Sequence, residues 1–210
     1  MTANGGSGPR NGPAIRAKSE EEEENRGSAV VRCNTDSAPG SLAGGARAFC
    51  GYLDESLVLA LKGQLRYMTA RALRAFLDSL LEQDGTETVI IDLRELESID
   101  STGMGLLARI GRTTLTHGRR SVIVCPAHDV MTCLRSAAFD TLFIMSEYWP
   151  FEREPHLSEV PLEGKELLPD VTGRVMLEAH RDLVAMSEEN RLAFSGVVAA
   201  LEADLNRRIN

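Results

Sequence analysis

Apolar residues in this chain gather into short blocks separated by stretches with helical spacing. Leu57 to Leu61 (LVLAL), Val89 to Leu93 (VIIDL), Val122 to Cys125 (VIVC) and Leu142 to Met145 (LFIM) are runs of strand length. Ala46 to Tyr52 is a fifth candidate, able to pair with LVLAL through a turn at Asp54-Glu55. Between the blocks, Leu73, Phe76, Leu77 and Leu80 recur as one helix face within Tyr67 to Gln83, and Asp84-Gly85 supplies a stop. Leu106, Leu107, Ile110 and Thr114 repeat the spacing up to His117-Gly118, and Val130, Cys133, Leu134 and Ala137 do so after Pro126. Strands alternating with helices predict parallel pairing through crossover helices, hence an α/β domain over residues 46–145.

The flanking segments follow other patterns. Residues 1–45 are rich in Gly, Ser, Pro and Asn, carry five consecutive glutamates (Glu20 to Glu24), and have almost no large apolar residues. Such a stretch buries too little surface to offset the entropy of ordering, so a disordered tail is expected. Pro150, Pro155, Pro161 and Pro169 make 146–170 a Pro-rich linker in expectation, unsuited to regular helix. From Val171 a stripe of Val175, Ala179, Leu183, Met186, Asn190, Phe194, Val197, Leu201 and Leu205 predicts a helical extension over 171–210. It reads as one long helix or as a hairpin broken near Ser187-Glu188-Glu189-Asn190. A stripe this long needs a partner, either its own domain or a second copy of the chain. The reach of the linker favours a homodimer through 171–210.

Charge narrows the function classes. The 210 residues carry 23 Lys and Arg against 31 Asp and Glu, a net charge of −8. Residues 146–210, with 7 basic and 13 acidic residues, supply −6 of it. A chain so acidic lacks the basic excess that draws phosphate backbones or anionic lipid, so nucleic acid is not an expected partner. No apolar run approaches the roughly 20 residues of a membrane span, and the first 25 residues hold no signal-peptide core, so a cytoplasmic protein without direct membrane insertion is expected. Four cysteines (Cys33, Cys50, Cys125, Cys133) without a C-x-x-C pair make no disulfide framework.

No catalytic constellation assembles, and neither metal nor cofactor is expected. His117, His128, His156 and His180 are scattered without ligand spacing, His180 falling on the charged side of the last helix. Ser101 lacks the G-x-S-x-G context of a hydrolase, and Cys125 merely ends a strand. Gly103 to Ala108 (GMGLLA) matches G-x-G-x-x-A, but it does not follow its strand directly and the next strand ends in Cys125-Pro126 rather than an acid. A nicotinamide enzyme is therefore disfavoured. The most informative stretch is Val89 to Arg112, in which a strand, a short loop through Ile99, and Asp100-Ser101-Thr102-Gly103 open a helix. Ser or Thr there can cap backbone N–H groups, and the same helix start is a natural seat for phosphate.

VIIDLRELESIDSTGMGLLARI resembles the signature of STAS-domain proteins, the anti-sigma factor antagonists. The resemblance extends back through Leu57 to Leu65, whose end reads L-x-G-x-L, and forward through SVIVC to Ala138-Phe139-Asp140-Thr141-Leu142-Phe143. It implies a STAS-like small mixed, mostly parallel sheet with helices, to which the helical extension is added. It also implies a non-enzymatic partner-switching phosphoprotein that regulates bacterial transcription. The unphosphorylated form binds an anti-sigma factor or serine protein kinase, phosphorylation releases it, and a PP2C-type phosphatase restores binding. Carried onto this chain, the acceptor is Ser101, with Thr102 as a secondary candidate, and the partner face comprises Asp100, Ser101, Thr102, Gly103, Met104, Ala108, Arg109 and Arg66. Many members carry an acid directly after L-x-G-x-L, where this chain has Arg66, a residue that could instead hold the phosphate. The alternative is an unphosphorylated STAS scaffold or transporter-complex subunit.

Overall fold

A computed structural model describes residues 46–81, 88–162 and 169–209. The tail expected over 1–45 and the stop expected at Asp84-Gly85 lie outside the described residues. Strand β1 (Arg47–Leu53) forms a hairpin with β2 (Ser56–Leu65), turning at Asp54, whose φ of 53° is a conformation that Asp tolerates. Strands β3 (Thr88–Asp92), β5 (Arg120–Val124) and β6 (Ile144–Ser146) extend the sheet from β2 in parallel register. On the far side of β1 lies β7 (His156–Val160), antiparallel, giving the order β6-β5-β3-β2-β1-β7. The crossovers are α1 (Tyr67–Leu81), α2 (Ser101–Thr116) and α3 (His128–Ser136).

The near-continuous apolar runs follow from a sheet covered on both faces. On the helix side lie Leu57, Leu59, Leu61, Val89, Ile91 and Ile123, packed with Leu73, Leu77, Leu106, Leu107, Ile110 and Phe139. On the opposite side Val58, Ile90 and Val124 meet Trp149, Phe151 and Leu157. Residues of the Pro-rich stretch thus supply a second layer to the sheet. Trp149 lies under the Arg94 guanidinium, 4.4 Å from it, and Arg94 reaches both Asp92 (2.9 Å) and Glu154 (2.7 Å). Over the described residues 147–162 no helix forms, and β7 pairs at the sheet edge.

A second correction concerns the loop expected up to Ile99. Leu96–Ile99 forms β4, which pairs in parallel with the end of β2. Gly63, at φ 77°, makes the break in register that turns β2 away from β3 and toward β4, and its N–H donates to Glu95 O at 2.9 Å. The four residues LESI hold one buried side chain, Leu96, too little pattern to reveal a strand. Their pairing delivers Leu65 to the start of α2.

The C-terminal extension is the hairpin, with α4 (Pro169–Val184) and α5 (Glu188–Ile209). Ser187 Oγ accepts from Asn190 N at 3.1 Å, starting α5 within the predicted break. Helix α4 packs on α1, α2 and α5 of its own chain and buries Val175, Leu177, Ala179 and Leu183 there. The contact with α2 is close: a Cβ at Gly105 would lie 2.2 Å from Ala179 O, so only glycine permits it.

Candidate functional site

The site assembles where β2, α1, α2 and α4 meet. Asp100 has an extended backbone (φ −98°, ψ 175°) and caps α2, its Oδ1 accepting from Gly103 N at 2.8 Å. Its Oδ2 accepts from Tyr67 N at the start of α1, also at 2.8 Å. The Asp100 N–H donates to Leu65 O at 3.1 Å, and its carbonyl accepts from Met104 N at 2.9 Å. One residue thus ties the end of β2 to the first turns of two helices. This corrects the expectation that Ser or Thr caps α2. The capping oxygen belongs to Asp100, and Ser101 stands just inside the helix.

The Ser101 hydroxyl instead meets His180 of α4, Oγ to Nε2 2.9 Å. The other ring nitrogen, Nδ1, lies 2.7 Å from Met176 O. A carbonyl only accepts, so Nδ1 carries a proton; in the neutral ring Nε2 is then the acceptor and Ser101 donates to it. His180 is 3% exposed and packs edge-on against Phe194 of α5. The placement of His180 on a charged side is therefore corrected. Helix α4 is enclosed by α2 on one side and α5 on another, so its buried arc is wider than the stripe of Val175, Ala179 and Leu183. His180 is sequence neighbour to Ala179, the smallest member of that stripe, and this was the signal available.

The other predicted residues divide. Thr102 is buried, and Gly103 is pressed against Leu65 and Ile99, where a Cβ would come within 2.8 Å of Leu65 Cγ. The two glycines of GMGLLA thus answer to packing against β2 and α4. Met104 is half-buried beside the core, whereas Ala108 is fully buried. Arg109 is half-exposed and held by Asp78, 3.0 Å away. Arg66 is exposed, between the two residues that bond Asp100, and its carbonyl accepts from Thr69 Oγ1 at 2.9 Å. Burial pushes the Cys125 thiol up, against the lowered value a reactive cysteine needs. Among the described residues there is no cluster of three or more His, Cys, Asp or Glu able to hold a metal ion, and no helix long and apolar enough to cross a membrane.

Carboxylates on α4 meet guanidinium groups beneath it: Glu178 pairs with Arg74, and Asp182 with Arg112 at 2.8 Å. Burial nevertheless raises the Asp182 carboxyl above its ordinary range, outweighing the pull of Arg112, Arg109 and Arg74. An acid raised in the folded state adds stability below its unfolded pKa and loses it as pH rises through the folded value. Asp182→Asn is accordingly expected to change stability at neutral pH by less than about 1 kcal/mol, despite the lost ion pair. Urea unfolding measures it, and a loss of several kcal/mol would mean that the ion pair dominates.

Residues 52–155 match the family model of the STAS domain. Solved structures to which the chain is similar include the anti-sigma factor antagonist SpoIIAA in its unphosphorylated form, at 20% identity over 48% of this chain and 87% of that one, with a TM-score of 0.43. The Bacillus cell fate determinant SpoIIAA in the phosphorylated form matches at 19% identity, over 48% of this chain and 90% of that one, with a TM-score of 0.41. An anti-sigma factor antagonist from Mycobacterium paratuberculosis matches at 24% identity over 53% of this chain and 91% of that one, with a TM-score of 0.41. The helices α4 and α5 lie beyond the matched STAS residues.

Proposed function

We propose that this chain is a partner-switching regulator of the anti-sigma factor antagonist type, without catalysis of its own, controlled by reversible phosphorylation of Ser101. The observation that carries this reading is the division of labour at the start of α2. Asp100 does the capping, so the Ser101 hydroxyl has no structural duty to α2. The N–H groups and dipole of a helix start favour the charge of about −1.5 to −2 that a phosphate brings. Arg66, exposed at the neighbouring start of α1, adds a cation on the same rim.

In the proposed cycle the unmodified protein binds an anti-sigma factor or serine protein kinase in the cytoplasm. Phosphoryl transfer forms the Oγ–P bond and breaks the terminal P–O bond of ATP. ADP leaves and the hydroxyl proton passes to the kinase's base. Hydrolysis by a PP2C-type phosphatase releases inorganic phosphate and restores the hydroxyl.

Mass mapping of the chain from its own cells, with and without phosphatase, tests the assignment. A phosphatase-sensitive gain of about 80 Da is expected on the peptide holding Ser101, and its loss is expected in Ser101→Ala, which keeps partner binding. A chain unmodified in every growth phase and co-purifying with a permease or ATPase would favour the scaffold reading instead.

A further inference from the structure

Helix α4 lies on the surface that a partner reading Ser101 must reach. His180 bonds the acceptor hydroxyl directly, at 2.9 Å. Beside it Ala179 is in backbone contact with Gly105, one turn along α2 from Ser101. Ala108, expected on the partner face, is fully buried. Glu178 and Asp182 hold the rims of the contact through Arg74 and Arg112.

We propose that α4 is an internal occupant of the partner face, and that a docked α4 and a phosphate on Ser101 exclude one another. The inference rests on Ser101 being the switch residue. A 2.9 Å contact between Oγ and Nε2 leaves no space for a phosphorus and its three outer oxygens. Helix α4 does not make that space by a small slide, because the backbone of Ala179, the residue before His180, lies against Gly105 of α2 without a side chain between them. The helix must lift. Partner binding and phosphorylation then both draw on the same open state, and the hairpin sets how much of the chain is open.

Hydrogen exchange on the full chain tests this without a kinase. Three proteins are compared: the unmodified chain, the chain with phosphoserine installed at position 101 during translation, and Gly105→Ala. The alanine places a methyl against Ala179 and removes a helix-weakening glycine from α2, so it disturbs the docking while sparing α2. Amides of α4 over residues 172–184 are expected to exchange about tenfold faster or more in both altered proteins, with β2, β3 and β5 as slow as in the unmodified chain. Unchanged α4 exchange in the phosphoserine protein would overturn the exclusion, and unchanged exchange in Gly105→Ala would overturn the seating. A uniform rise across the sheet would overturn it too, since the phosphate would then weaken the whole domain. Because the phosphate is installed directly, absence of phosphoserine in cells would sink the switch and leave the exclusion to stand or fall separately.

Discussion

Replacing Asn190 by leucine is expected to destabilise the chain by about 1–3 kcal/mol, although the two side chains are close in size. Asn190 is 3% exposed, and its Nδ2 donates to Ala137 O at 2.9 Å and to Leu183 O at 3.2 Å. One amide thus joins the end of α3, the end of α4 and the start of α5. Leucine would take the side-chain donor from Ala137 O, while Leu183 O would keep the Met186 N–H at 3.0 Å, and a buried polar group without a partner costs about 1–3 kcal/mol. Asn190→Asp should be worse, because a carboxylate oxygen would then face carbonyl oxygens. Urea unfolding followed by far-UV circular dichroism gives the cost. A loss below about 1 kcal/mol for the leucine variant would show that Ala137 O finds another donor.

Asn190 also shows where sequence reading stops. It sits in the apolar stripe of the extension, so burial could be read from its position, and the hairpin break was visible in Ser187 to Asn190. The carbonyl of Ala137 as its acceptor was not visible, since 53 residues separate them and nothing local marks the pairing. The same division runs through the fold. The runs that form β2, β3 and β5 and the three crossover helices were legible because each buries a set of large side chains, whereas the run Leu142 to Met145 buries Phe143 ahead of β6 and leaves Ile144 exposed. Strand β4 was not, having one buried leucine, and β7 was masked by the prolines around it.

At the site, Asp100-Ser101-Thr102-Gly103 could be placed at a helix start from spacing alone. Which oxygen caps the helix could not, because Asp, Ser and Thr are all competent caps and only backbone geometry chooses among them. His180 was misplaced for a related reason. A helix packed on two neighbours buries residues that a single-stripe reading assigns to water, and its contact with Ser101 spans 79 positions. The glycines of GMGLLA were visible as a pattern, but their cause is the closeness of Leu65 and Ala179.

Asp100→Ala is expected to cost about 2–3 kcal/mol, more than loss of an ordinary helix cap, because one carboxylate serves two helices. Its Oδ1 holds Gly103 N of α2 and its Oδ2 holds Tyr67 N of α1, each at 2.8 Å. Asparagine separates the two duties. Its carbonyl oxygen can still accept from Gly103 N, but its amide nitrogen would then face the Tyr67 N–H, donor against donor. Asp100→Asn should therefore cost less than alanine and raise amide exchange in the first turn of α1 while α2 stays protected. Asp100→Ala should loosen the first turns of both helices. If neither variant loosens α2, Asp100 does not hold α2 through its side chain, and Ser101 or Thr102 must share the capping. That outcome would also return a structural duty to Ser101, removing the observation on which its role as phosphate acceptor depends.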